Sequence, residues 1–259
     1  MRNRWFIALA AIGLHISIGS VYAWSVLTRP IMADMGFTLS QTTWTFSLAI
    51  LMLGLSAGFL GSFAEKIGPK KSGLLAMLFW VTGLLGTAYA LSIHNLTLLY
   101  LFYGIIGGIG LGIGYITPVS TLVKYFPNRP GFATGLAIMG FGFASLIAGP
   151  LMQYLVAQVG LVDTFIILGV IYLVIMGASS LYLKAPQPKH STRTTKDRST
   201  MYVHTHGMLA NDAMKTWQFG ALWWVFFINI TCGIGLLSLA SPMAQEAIGM
   251  TPAAAASLV

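Results

Sequence analysis

A chain of 259 residues that is 56% hydrophobic and only 8% charged is not a water-soluble domain, because soluble domains carry roughly 25% charged residues. Its net charge of +8 is spread over every second polar loop, which sets nucleic acid aside as a partner and points to orientation in a bilayer with anionic headgroups. A single cysteine, Cys232, excludes an internal disulfide, and the first apolar run is too long for a signal-peptide core and lacks a small-residue cleavage site.

Crossing about 30 Å of hydrocarbon takes about 20 apolar residues in a helix. Seven runs meet this, near residues 5–27, 43–63, 72–92, 97–123, 132–159, 164–183 and 219–240. Helices are required, since lipid offers no partner to a backbone amide. The runs are too long and too uniformly apolar for the alternating strands of a barrel.

In the first run, His15 is the ionisable group nearest the middle of any span, and such a group is a functional candidate. The bland reading is a neutral histidine bonded to a neighbouring helix, and it is the better default. Gly19 and Tyr22 follow at helical spacing, so His15, Gly19 and Tyr22 share one face. Ser17, Ser20, Trp24 and Thr28 occupy roughly the opposite one. One of the two faces lines a cavity, and the sequence leaves open which.

Between the second and third runs lies GSFAEKIGPKK, residues 61–71. Glu65, Lys66, Lys70 and Lys71 would each cost on the order of 3 kcal/mol in hydrocarbon, so this turn marks a membrane surface. The fourth run holds Gly104, Gly108 and Gly112 at four-residue spacing, and the fifth holds Gly135, Gly142 and Gly149 at seven, followed by Pro150. Stripes of this kind let helix backbones approach closely. A bending role for Pro118 and Pro150 is the lesser reading.

Residues 185–216 are rich in Pro, Ser, Thr and Lys without an apolar face and read as a flexible linker. The loop histidines His190, His204 and His206 lack the acidic or cysteine neighbours of a metal site, so no metal and no cofactor is expected. With the N-terminus in the cytoplasm, every Lys and Arg except Arg29 falls inside, linker included.

The exit of the first run, RPIMADMGFTLSQTTW, is matched after the seventh by SPMAQEAIGMTPAAAA. Each carries a proline after a small or polar helix end (Pro30, Pro242), an acid (Asp34, Glu246) and a Gly-apolar-Thr triplet. Parallel repeats of this sort build transporters from two similar halves. The expected organisation is all-α: a six-helix bundle over residues 1–184, the cytoplasmic linker 185–216, and over 217–259 the opening of a second bundle, helix 7 and the start of helix 8. The rest of that half is expected to be missing from this chain, and the chain alone is not expected to transport.

The turn at 61–71 resembles the signature loop of the major facilitator superfamily, with Gly61, Ala64, Glu65, Lys66, Gly68, Lys70 and Lys71 in place and Pro69 between. The chain is further similar to the oxalate/formate antiporter branch, through RWFIALA, GSVYAW, the stretch GIGLGIGYITPVSTLVKYFPNRPGFATGLAIMGFGFAS and SPMAQEAIGM. The resemblance implies a multi-pass cell (plasma or inner) membrane protein that moves small carboxylates by alternating access, without an enzymatic step. It implies a gating turn in which Glu65 pairs with a helix end and a basic residue. It also implies that Tyr22 and Tyr115 line the substrate site. Phe141 and Val21 stand where the oxalate-transporting type has tyrosine and glutamine, so a monocarboxylate is as suitable as oxalate. Trp24 and His15 complete the candidate set. The cations that hold a carboxylate belong, in that branch, to later helices. The alternative reading is a proton-coupled exporter or symporter of another metabolite or drug, with His15 as its proton site.

Overall fold

The computed structural model describes residues 3–186 and 210–258, and among them it is helical with no strand. Of the 185–216 linker, residues 187–209, with His190, His204 and His206, lie outside the described residues. The elements are α1 (Arg4–Gly19), a 3-10 turn (Ser20–Ala23), α2 (Trp24–Met35), α3 (Leu39–Ile67), α4 (Pro69–Ser92), α5 (Leu96–Leu99), a π-helical stretch (Tyr100–Gly107), α6 (Gly108–Tyr125), α7 (Pro130–Gly142), α8 (Ala144–Tyr182), α9 (Ala210–Ala213), α10 (Trp217–Ala247) and α11 (Pro252–Ala256). Among the described residues six continuous runs are long and apolar enough to cross a membrane; one of them, Pro130–Tyr182, is 53 residues long. That run breaks at Gly160, whose φ of 83° and ψ of 176° leave the helix, so it supplies two spans and the expected seven are recovered.

Local chemistry sets the boundaries. Asn3 caps α1 by accepting from the Trp5 amide at 3.0 Å. Gly68, at φ 83°, ends α3, and Pro69 opens α4 at a first-turn position where its missing N–H costs nothing. Both Gly-apolar-Thr triplets do the same work: Gly36 and Gly249 turn the chain at φ 68° and 69°, and Thr38 and Thr251 then cap α3 and α11 by accepting from the amides of Gln41 and Ala254. The expectation that the helices end before Pro30 and Pro242 is corrected. Both prolines lie inside helices, α2 and α10, and the glycines are the true stops.

The chain divides into two units. The first joins Met1–Pro186 with Leu237–Val259. In it α1 packs on α6, α7 and α8, α3 packs on α6, and α4 packs on α6 and α8. Its core holds an aromatic cluster drawn from several spans, with Tyr103 4.4 Å from Trp24, 5.6 Å from Trp80 and 6.2 Å from Phe165 between ring centroids. Several buried hydroxyls bond to carbonyls of their own helix, among them Ser17 to Gly13 and Thr121 to Thr117. Ser72 and Thr117 bond across α4 and α6 at 2.6 Å. The second unit, Gln187–Leu236, holds α9 and the first part of α10. There Leu222, Trp223, Trp224, Phe226 and Ile228 are exposed, a surface suited to lipid and costly in water.

The glycine stripes separate on inspection. A Cβ at Gly104 would lie 2.8 Å from the Leu48 Cβ, and one at Gly108 would lie 2.6 Å from the Met52 Cβ and 2.8 Å from the Ala49 carbonyl oxygen. Gly112 abuts the Leu53 carbonyl oxygen and Ser56 one turn further on. The stripe therefore seats α6 on α3 in register, four residues to four. Gly149 packs against the Ala256 carbonyl. Gly135 and Gly142 are a correction: a Cβ at either would meet nothing within 4 Å, so neither is a packing position among the described residues. Pro150 continues within α8.

Candidate functional site

His15 lies eleven residues into α1, about 16 Å along the axis from Arg4, near mid-span and wholly buried. Its Nδ1 is 2.6 Å from the Ala137 carbonyl oxygen on α7. Its Nε2 is 3.0 Å from the Tyr115 carbonyl oxygen on α6. The imidazole also stacks on the Tyr115 ring, with centroids 5.5 Å apart and planes 22° apart.

Phe141 is the hub of the group. Its ring meets Tyr22 at 5.0 Å, Tyr115 at 5.3 Å and His15 at 5.8 Å, each time edge to face. The approach depends on Gly19, where a Cβ would meet the Phe141 carbonyl and lie 2.7 Å from the Ala144 Cβ. The 3-10 turn that follows carries Tyr22. His15 and Phe141 are buried, whereas Tyr22 and Tyr115 are partly exposed. The hydroxyls of Tyr22 and Tyr115 have no hydrogen-bond partner among the described residues. The structure thus brings together His15, Tyr22, Tyr115 and Phe141, drawn from α1, the 3-10 turn, α6 and α7. Trp24 is set apart from them. It is fully buried against Tyr103 on the other side of the helix. Of the two faces that the sequence left open, the His15 face is the one with accessible hydroxyls.

At one end of the bundle Glu65 pairs with Lys124 of α6 at 3.1 Å, each side chain about half exposed. A cavity of about 60 Å³ beneath them is lined by Ala64, Gly68, Pro69 and Thr121, with Ala185 also at its edge. Lys66, Lys70 and Lys71 are exposed. Lys124 is the partner that sequence reasoning did not single out. Its signal was a basic residue in the last turn of α6, where it also meets the negative end of the helix dipole. Arg4 lies over the Phe126 ring at 5.5 Å, which ties the N-terminal residues to the loop after α6. A second contact was also missed: Arg29 donates to Glu246 at 2.7 Å and to Gln245 at 3.2 Å, joining α2 to the end of α10. The repeat had marked Glu246 and topology had marked Arg29, but nothing in either pattern paired them. Among the described residues no group of His, Cys, Asp and Glu is arranged to hold a metal.

Residues 6–259 match the family model of the Major Facilitator Superfamily. The chain belongs to the major facilitator superfamily. This places the turn at 61–71, the small-residue contacts of α6 and the helical membrane architecture in one family setting. Among relatives in the superfamily, the chain is 30% identical over 260 residues to the MFS-type transporter YhjX of Escherichia coli (strain K12), covering 100% of this chain and 62% of that protein. It is 25% identical over 240 residues to the oxalate:formate antiporter of Oxalobacter formigenes, covering 92% and 54%. It is 28% identical over 170 residues to monocarboxylate transporter 14 of Homo sapiens, covering 65% and 33%. The chain therefore spans between one third and two thirds of the length of these superfamily relatives.

Proposed function

We propose that this chain works in a secondary active transporter of small organic anions, such as oxalate, formate or another small mono- or dicarboxylate, acting by exchange through alternating access. The observation that carries the reading is the mid-span aromatic cluster in which the partly exposed Tyr22 and Tyr115, whose hydroxyls have no partner among the described residues, stand against the ring of Phe141. Phenols can orient a flat carboxylate through its oxygens while rings enclose its apolar part. The names of two superfamily relatives, an oxalate:formate antiporter and a monocarboxylate transporter, support the same substrate class. The Glu65–Lys124 pair and the turn around it form the inner gate of this reading, with Gly61, Gly68 and Pro69 shaping the turn and Lys66, Lys70 and Lys71 holding it at the headgroups. Purified full-length protein in liposomes loaded with candidate anions is expected to show saturable counterflow of at least one small carboxylate. Saturable transport of a neutral or cationic solute, with no carboxylate exchanged, would overturn the reading in favour of the proton-coupled alternative.

The orientation proposed with it puts the N-terminus and the linker in the cytoplasm. Arg4, Glu65, Lys124 and Ala185 gather at one end of the bundle through the contacts given above, and that end collects the basic residues. In a Cys232→Ser background, Ser92→Cys is expected to react with an impermeant thiol reagent from outside the cell. Asn128→Cys should react only once the membrane is opened. The reverse pattern would invert the topology.

A further inference from the structure

A backbone carbonyl oxygen only accepts hydrogen bonds. A neutral imidazole has one N–H donor and one bare nitrogen, and only the imidazolium has two donors. His15 faces a carbonyl oxygen with each ring nitrogen, at 2.6 Å and 3.0 Å. If the ring were neutral, one of these contacts would set a nitrogen lone pair against an oxygen lone pair. The arrangement is complementary to a ring carrying two protons.

From this geometry we infer that His15 is a proton-binding site, and that its protonated form is the clasp joining α1 to α6 and α7 beside the aromatic cluster. In that form Nδ1–H donates to Ala137 and Nε2–H donates to Tyr115. Both carbonyls belong to the helices that carry the aromatic cluster, and Tyr115 and Phe141 pack on the imidazole itself. Loss of the proton removes one donor, and the ring must then release α6 or α7. The aromatic cluster would be held together when His15 is charged and loosened when it is neutral. Its consequence for transport rests on the functional reading above.

No other group near His15 titrates in the same range. The neighbours on the 3-10 turn and α6 are Tyr22 and Tyr115, phenols that stay neutral through the physiological range. From α7 there is no titratable side chain. The charged residues of the packed helices stand at their ends: Arg4 on α1, Lys124 on α6, and Asp163 on α8 beyond the Gly160 break. The remaining titratable side chains of α6 and α8 are Tyr125, Tyr154, Tyr172 and Tyr182, again phenols. A pH response of the cluster in the physiological range is therefore attributable to His15.

The test is nitrogen NMR of the protein in lipid bilayers, labelled at the histidine ring nitrogens, with the His15 signals assigned by their loss in His15→Gln. Two protonated ring nitrogens are expected for His15 toward the acid end of the range, and one bare nitrogen at its alkaline end. A single bare nitrogen throughout the range from pH 5 to 8 would overturn the inference without recourse to any variant. In proteoliposomes, exchange by the native protein should fall roughly tenfold per pH unit once His15 begins to lose its proton, as for one titrating site. His15→Gln should give a flat profile. A native profile that stays flat while the NMR signal titrates would overturn the clasp. Two protonated nitrogens in a protein that exchanges no carboxylate at any pH would leave the proton site standing and count against the transport reading.

Discussion

Gly108→Val and Gly110→Val are each expected to abolish a stable fold. At Gly110 a Cβ would lie 2.6 Å from the Trp80 amide nitrogen and 3.0 Å from the Ala76 carbonyl oxygen; at Gly108 it would lie 2.8 Å from the Ala49 carbonyl oxygen. These obstacles are backbone atoms, which cannot rotate aside as a side chain can. Overpacking in a close-packed interior costs about 1–3 kcal/mol even where side chains can yield, and a rigid backbone raises that cost. The two glycines face different neighbours. Gly108 seats α6 on α3, and Gly110 seats α6 on α4, so each substitution separates a different pair of spans. Gly135→Ala and Gly142→Ala supply the control. Nothing lies within 4 Å of either position, and alanine is better than glycine in a helix by about 1 kcal/mol. Thermal unfolding in a mild detergent should show the valine variants aggregated or melting far below the native protein, and the alanine variants at or above it. Native-like melting of Gly110→Val would mean that α4 and α6 do not meet as described.

The membrane character, the span count and the gating turn were legible because they rest on physics that is local in sequence. A run of some twenty apolar residues has one comfortable solvent, and Gly68-Pro69 has one natural use between two helices. The triplets around Gly36 and Gly249 were visible as a repeat, and the structure supplies their cause, a left-handed stop followed by a threonine cap. Pairings between distant residues were not legible. Lys124 is 59 residues from Glu65 and Arg29 is 217 from Glu246, and no periodicity connects them. The choice between the His15 face and the Trp24 face failed for a related reason. Both faces of α1 carry small, polar and aromatic residues, and what separates them is contact with other helices: Trp24 meets Tyr103, while His15 meets the carbonyls of Ala137 and Tyr115. Spacing alone also placed Gly135 and Gly142 with Gly149 in one stripe, although only Gly149 has a backbone against it. The π-helical turn at Tyr100–Gly107 had no sequence signal beyond its glycines.

Replacing Tyr22 and Tyr115 together by phenylalanine is expected to remove most carboxylate transport while leaving the protein folded. The two halves of this expectation have separate grounds. Neither hydroxyl bonds to a protein group among the described residues, so deleting both breaks no internal hydrogen bond, and the rings that pack on Phe141 are kept. A substrate carboxylate, by contrast, would accept from both. A hydrogen bond to a charged group contributes about 1.5–3 kcal/mol, and each 1.4 kcal/mol is about tenfold in affinity. Each single variant should therefore raise KM for the transported anion by about tenfold or more. The double variant should raise it further, by less than the product of the two if both hydroxyls hold the same carboxylate. Trp24→Phe is the contrasting substitution. Trp24 is buried against Tyr103 and its indole N–H has no partner, so KM should stay at the native value even if stability shifts. Initial rates of counterflow across a range of substrate concentrations, normalised to the protein inserted, separate the cases. Unchanged KM in the double tyrosine variant, with a raised KM in Trp24→Phe, would move the pocket to the opposite face of α1 and take the aromatic cluster around Phe141 out of the transport path.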